Sequence, residues 1–208
     1  MKISRKVQKA YLISVLLVSL ILATAGTTAI YAKYVKGVDF TGNVTVSAEL
    51  VDTFLLYEHK VDRNELGKYV IDPANDVSSN EYILMPGVDI PKDPTISITG
   101  KTDIPAYLYI EVVDGITDSA ITYSLTTVWT EVADITGPNG GKVYVYTPAM
   151  TEDMEIQILQ GNIIIVSQTL DHSNVSKSYS LDFYAYMAQV PNSTDTPAAV
   201  FTSNFPTP

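Results

Sequence analysis

Apolar and polar residues alternate in short runs along most of this chain, and the runs stop at Gly, Pro, Asn and Asp. Beyond residue 30 no stretch keeps apolar residues at helical spacing for three turns, so the pattern predicts strands. Val44, Val46, Ala48 and Leu50 alternate with their neighbours. Residues 54–59 and 68–71 flank the turn-rich Asp62-Arg63-Asn64-Glu65-Leu66-Gly67, which predicts a hairpin. Strands are expected over 95–99, 106–113 and 121–132. Pro138-Asn139-Gly140-Gly141 is the strongest turn signal, because Asn-Gly accepts positive φ at little cost. It joins the strand carrying Trp129, read as a core anchor, to one over 142–147. Segments 155–159, 162–168 and 177–190 complete the set. Thr196 is expected to cap a short helix with Pro197 in its first turn. Many short, evenly spaced strands predict an all-β antiparallel sandwich or barrel, and without a linker or internal repeat the body reads as one domain over 41–208.

The first thirty residues follow a different rule. Lys2, Arg5, Lys6 and Lys9 open the chain without an acid, residues 11–25 are apolar, and the small Gly26-Thr27-Thr28-Ala29 follows. That order is a secretory signal peptide over 1–29, with cleavage between Ala29 and Ile30, or secondarily after Ala32. The rival is a retained anchor, since no charge falls between Lys9 and Lys33; the Gly, Thr and Ala that end the window gain little from lipid. Removing 1–29 takes four of the 13 basic groups and none of the 23 acidic ones, so the net charge moves from −10 to −14. Such a charge favours solubility and argues against nucleic acid as a partner.

At 208 residues, 46% hydrophobic and only 17% charged, the chain has the material for a core. It has no cysteine, which removes disulfides, thiolate metal sites and thiol nucleophiles. HExxH, Gly-x-Ser-x-Gly and the Walker phosphate loop are absent, so no catalytic site, cofactor or metal is assigned. His59 reads as a solvated strand histidine and His172 as part of a polar turn. Asp62, Glu65, Asp72, Asp76 and Glu81 could approach a calcium ion, but they lack EF-hand spacing and read as surface charge. Three Asn-x-Ser/Thr triplets, at Asn43, Asn174 and Asn192, are too short a pattern to weigh.

Two features suggest contacts. Among 14 tyrosines, Tyr107/Tyr109, Tyr144/Tyr146 and Tyr184/Tyr186 stand two residues apart, so each pair shares a strand face. Ala106, Leu108, Ile110 and Val112, and likewise Leu181, Phe183, Ala185 and Met187, occupy the opposite faces as the expected core. The tyrosines are therefore expected outward or under a covering hairpin, as stiffening ladders or as a contact surface. Then, just past the expected cleavage, Ile30, Ala32 and Tyr34 alternate, Gly37 interrupts, and Val38 and Phe40 resume. This ribbon, 30–40, can pair at its own sheet edge, or add as a strand to a neighbouring molecule and propagate a filament.

Gly26-Thr27-Thr28-Ala29 with Ile30-Tyr31-Ala32 resembles the cleavage region of SipW-dependent signal peptides, those of the TasA/camelysin family of secreted biofilm-matrix proteins. Met85-Pro86-Gly87, Pro91-Lys92-Asp93-Pro94, and Thr99-Gly100 ahead of Pro105-Ala106-Tyr107 resemble a Pro-Gly … Asn-x-Gly … Ala-Tyr stretch of that family, with its Asn replaced. Tyr184-Ala185-Tyr186 with Gln189, Ala198-Ala199 and Phe201 is similar to the family's closing strand and short helix. The likeness is nearest to its BsaA-type matrix proteins. It implies a jelly-roll-like sandwich with one short C-terminal helix, export by a dedicated signal peptidase, and a bacterial extracellular or cell-surface location. It also implies homopolymerisation into fibres, in which a donor strand carrying Ile30, Ala32, Tyr34, Val38 and Phe40 completes the next subunit's sheet, with a minor nucleating protein as a further partner. Some relatives carry a metallopeptidase label, for which this sequence has no zinc motif. The alternative function is a membrane-anchored cell-surface adhesin or binding module.

Overall fold

The computed structural model describes residues 29–31, 34–35, 51–65, 68–77, 80–100, 105–171, 178–190 and 192–205. The expectations placed on the signal segment 1–28, on Ala32, Val38 and Phe40, on the alternation at 44–50 and on His172 lie outside these residues.

In chain order the strands are β1 (Ala29–Tyr31), β2 (Tyr34–Val35), β3 (Thr53–Arg63), β4 (Tyr69–Val77), β5 (Glu81–Ile83), β6 (Ile90–Pro91) and β7 (Thr95–Thr99). They continue with β8 (Ala106–Asp114), β9 (Ile121–Thr122), β10 (Trp129–Thr136), β11 (Lys142–Tyr146), β12 (Met154–Gln157), β13 (Ile163–Val166) and β14 (Tyr179–Gln189). Helix α1 (Pro197–Asn204) ends the described chain. A seven-stranded sheet runs β10-β11-β8-β14-β1-β5, with β2 also on β14; a second runs β12-β7-β3-β4 and a third β6-β13-β9. The fold is therefore an all-β sandwich.

Period-two alternation does the sorting, as expected. Along β14, Leu181, Phe183, Ala185 and Met187 face a core completed by Leu108, Ile110 and Val112 of β8, Leu56, Ile96, Ile98 and Ile156 of the second sheet, and Ile90, Ile121, Ile164 and Val166 of the third. Trp129 is buried in that core, as expected. The other face of the large sheet is closed by α1 and the residue that ends it: Val200, Phe201 and the C-cap Phe205 pack on Tyr109, Val132, Val143, Val145 and Ala188. Thr196 caps the helix by accepting the Ala199 N–H (3.3 Å), with Pro197 in the first turn. The hairpin β3–β4 and the turn between β10 and β11 also form where the sequence puts them, and Gly140 holds φ 84° in that turn.

One strand expectation needs correction, and two details were not foreseen. The single strand expected over 121–132 is two, β9 and β10, because Thr126 turns the chain: Trp129 N–H bonds to its carbonyl while the Thr126 N–H and hydroxyl bond to Ile158 and Gln157. The short strands β5 and β6 carry too little alternation to be read from sequence. The antiparallel sandwich holds, with one local addition: the short β1 and β2 run parallel to β14.

Candidate functional site

The described parts of the N-terminal ribbon, β1 and β2, lie inside the large sheet. Ile30 pairs with Tyr179 and Tyr31 with Ser180; Tyr34 pairs with Phe183 and Val35 with Tyr184. The register offset is the same throughout, so β1 and β2 are one ribbon laid along β14. On its other side Ala29, Ile30 and Tyr31 pair antiparallel with Ile83, Tyr82 and Glu81 of β5. The expected cleavage bond, Ala29–Ile30, thus falls inside β1. The far edge of the three-residue β5 is held by one side chain: the Tyr69 hydroxyl donates to the Ile83 carbonyl (2.7 Å) and accepts the Ile83 N–H (2.6 Å). β1 therefore occupies a slot between β14 and β5 and pairs with both walls, while β2 follows β14 in the same register.

Beneath the slot lies a buried polar centre that the sequence reading did not single out. Glu58 follows Leu56 by two residues on β3, so alternation turns it into the core, where it is fully buried. Lys92, just past β6, is also fully buried, and its Nζ donates to Glu58 Oε2 at 3.1 Å. Asn80, at the head of β5, donates through Nδ2 to Glu58 Oε1 (2.5 Å) and to the His59 carbonyl (2.9 Å), while its Oδ1 accepts the Val61 N–H (2.8 Å). These three bonds fix which end of the amide is which. Lys92 Nζ sits 5.7 Å from the Phe183 ring centre and 5.9 Å from that of Tyr82. Loss of solvent pulls the Lys92 pKa down, against the opposing pull of Glu58 and, further off, Asp182 and Asp93.

On the opposite face of β3 an open cleft of about 410 Å³ is lined in part by Tyr57, His59, Asp93, Tyr146, Glu155 and Asn162. His59 is not the solvated residue expected. Its Nδ1 meets Asp93 Oδ2 at 2.5 Å, its backbone N–H donates to Asp93 Oδ1 at 3.1 Å, and Asp76 stands 3.8 Å from Nε2. Pro73 sits where β4 has three extra residues opposite the His59–Lys60 step of β3, and this bulge brings Asp76 opposite His59. The Asp93 hydrogen bond raises the imidazole pKa. Burial, then Glu155 and Asp76, push the Tyr57 phenol up to about 12.

The tyrosine pairs do not form one exposed surface. Tyr109 is 0% exposed and its hydroxyl donates to the Pro197 carbonyl (2.9 Å) under α1. Tyr107 and Tyr186 pack on the same cluster, so a helix rather than a hairpin covers them. Tyr144 and Tyr146 turn to the main core, leaving Val143 and Val145 to the helix side. Tyr184 is half-buried. Tyr186 has a further duty: with Asn139 N–H, Asn139 Nδ2 and Gly141 N–H it surrounds the buried carboxylate of Glu111 (2.6, 2.8, 3.0 and 2.8 Å). Of the candidate calcium acids, Asp62 pairs with Lys60 (2.7 Å) and Asp72 accepts from Ala74 N–H and Asn75 Nδ2. No cluster of three or more metal-ligating side chains occurs among the described residues. None of their helices is long and apolar enough to cross a membrane. The chain matches no family model, no curated protein and no solved structure.

Proposed function

We propose that the chain is a secreted structural subunit that polymerises into extracellular matrix fibres, the ribbon 30–40 of one copy entering the slot between β14 and β5 of the next. One observation supports this above the others: β1 and β2 make their backbone pairings with two strands far along the sequence, and residues 36–50 of the chain separate them from the first described residues of the body. A strand held in that way exchanges between copies with every backbone bond preserved, so closed monomer and open polymer differ mainly in linker entropy and concentration. Main-chain bonding to β14 and β5 supplies the affinity, and alternate side chains supply the fit. The exported form starts at Ile30 and is located outside a bacterial cell.

The test compares a chain beginning at Ile30 with one beginning at Thr41, by electron microscopy and light scattering over a concentration series. Filaments from the first, none from the second, and binding of a synthetic 30–40 peptide by the second support the proposal. Identical filaments from both, or lone particles of the first at every concentration, overturn it. The cleft beside His59 favours a second reading, a membrane-anchored surface adhesin or binding module. An N-terminus at Met1 in the exported protein selects that reading, and one at Ile30 selects fibres.

A further inference from the structure

We propose that Lys92 and Asn80 become joined by an isopeptide bond between Lys92 Nζ and Asn80 Cγ, with Glu58 as the acid–base group that forms it. The inference does not depend on polymerisation, since all three residues belong to one chain. It begins from an oddity: an amine, a carboxylate and a primary amide share one core pocket, walled by the Phe183 and Tyr82 rings, and no salt-bridge role accounts for the amide. One carboxylate holds both reacting groups, Lys92 Nζ on Oε2 and Asn80 Nδ2 on Oε1, so amine and amide lie side by side. Orientation of this kind replaces most of the entropy that an amine–amide encounter in water loses.

Each group has the partner the reaction needs. Glu58 takes a proton from the Lys92 ammonium, and its lone pair attacks Asn80 Cγ. Burial favours that neutral amine, since it lowers the Lys92 pKa. The carbonyl electrons move onto Oδ1, where the Val61 N–H already donates at 2.8 Å and steadies the developing negative charge. As the tetrahedral centre collapses, the Cγ–Nδ2 bond breaks, and Glu58 passes the protons shed by Nζ to the departing nitrogen. Nζ sheds two protons in all, and both leave with Nδ2 as ammonium. The sum is ammonium side chain plus amide giving secondary amide plus ammonium, with no oxidant, metal or cofactor required. The product amide keeps one N–H for Glu58 and a carbonyl for Val61; the positive charge departs with the ammonium, and the bonds that Asn80 Nδ2 made to Glu58 and to the His59 carbonyl are given up.

The test is the intact mass of the purified full chain, with its N-terminus determined in the same experiment. The bonded chain is lighter than its sequence by one ammonia, about 17 Da. A succinimide at Asn80 loses the same mass, so digestion decides between them. Trypsin cuts after Lys92 in the succinimide form but not in the bonded one, and cleavage after Glu81 leaves bonded fragments attached through the side chains. Asn80→Asp keeps the reaction but loses water instead, about 18 Da. Glu58→Gln is expected to show the full mass with Lys92 open to trypsin. A wild-type mass equal to the sequence, or a loss of ammonia with fragments that separate, overturns the proposal whether or not the variants fold.

Discussion

Glu111 offers a direct test of how the β10–β11 turn is held. Its carboxylate is fully buried on β8 and accepts four hydrogen bonds, three of them from the turn residues Asn139 and Gly141 and one from Tyr186. Hydrogen bonds to a charged group contribute about 1.5–3 kcal/mol each, and they do not add. Glu111→Ala leaves buried N–H and O–H donors with no acceptor, so the expected loss is about 3–5 kcal/mol, a large part of a typical domain's stability. Glu111→Gln keeps one oxygen for the two backbone N–H groups. Its NH₂ then confronts Asn139 Nδ2, donor against donor, and only Tyr186 can turn its oxygen to accept. One bond lost implies about 1.5–3 kcal/mol. Urea unfolding by tryptophan fluorescence, with the slope unchanged between variants, measures both. A loss under about 1 kcal/mol for Glu111→Ala, or equal losses for the two variants, would refute the assignment of the four donors as the turn's anchor.

Three further outcomes are expected. Gly137→Ala sets a methyl against the Glu111 carboxyl, which its four partners prevent from moving, and is expected to destabilise by about 1–3 kcal/mol; in a Glu111→Ala background most of that loss should vanish. Phe201→Ala removes the ring that meets Tyr109 (5.1 Å), Tyr186 (5.5 Å) and Phe205 (5.1 Å) under α1, for a loss of about 3–5 kcal/mol in the same assay. His59 sets a pH dependence whose sign is fixed. Its folded pKa is raised, first by the Asp93 hydrogen bond, with Asp93, Asp76 and Glu155 all facing it. Its contribution is therefore complete below the ordinary value near 6.5 and is lost as pH rises through the raised one. The gap in urea midpoint between wild type and His59→Gln should shrink on going from about pH 5.5 to about pH 8.5, because the imidazole loses its charge as pH rises. A gap that widens with pH contradicts the pairing.

Particular residues show what could be read in the sequence and why. The large strands were legible because β8 and β14 bury one face on a core, and burial enforces strict alternation. The Asn139-Gly140 turn and the Thr196–Pro197 helix start were legible because each rests on local chemistry. Tyr109 was misread for the converse reason: α1 covers the far face of the large sheet, and eight residues with a partly apolar surface do not announce what they cover. The buried centre was half-legible. Period two puts Glu58 on the face of Leu56, but Asn80 and Lys92 come from short connections, and only the folded chain brings them to the same carboxylate.

That centre and the slot are one piece of architecture. Asn80 immediately precedes β5, one wall of the slot, and Lys92 packs on Phe183, the β14 residue that pairs with Tyr34 of the ribbon. Both walls thus lean on the same buried carboxylate from behind. β5 is the weaker wall: three residues long, bonded to the ribbon on one side and to the Tyr69 hydroxyl on the other. A ribbon under tension in a fibre would peel β5 before β14, whose far side has nine paired positions on β8. The covalent bond proposed between Asn80 and Lys92 would fasten the weak wall at the end where peeling would start. If the proposed bond and the proposed fibre both hold, the amide in the core would serve the load path more than the folding of the sandwich, and its loss should lower resistance to force on the ribbon far more than it lowers the urea midpoint.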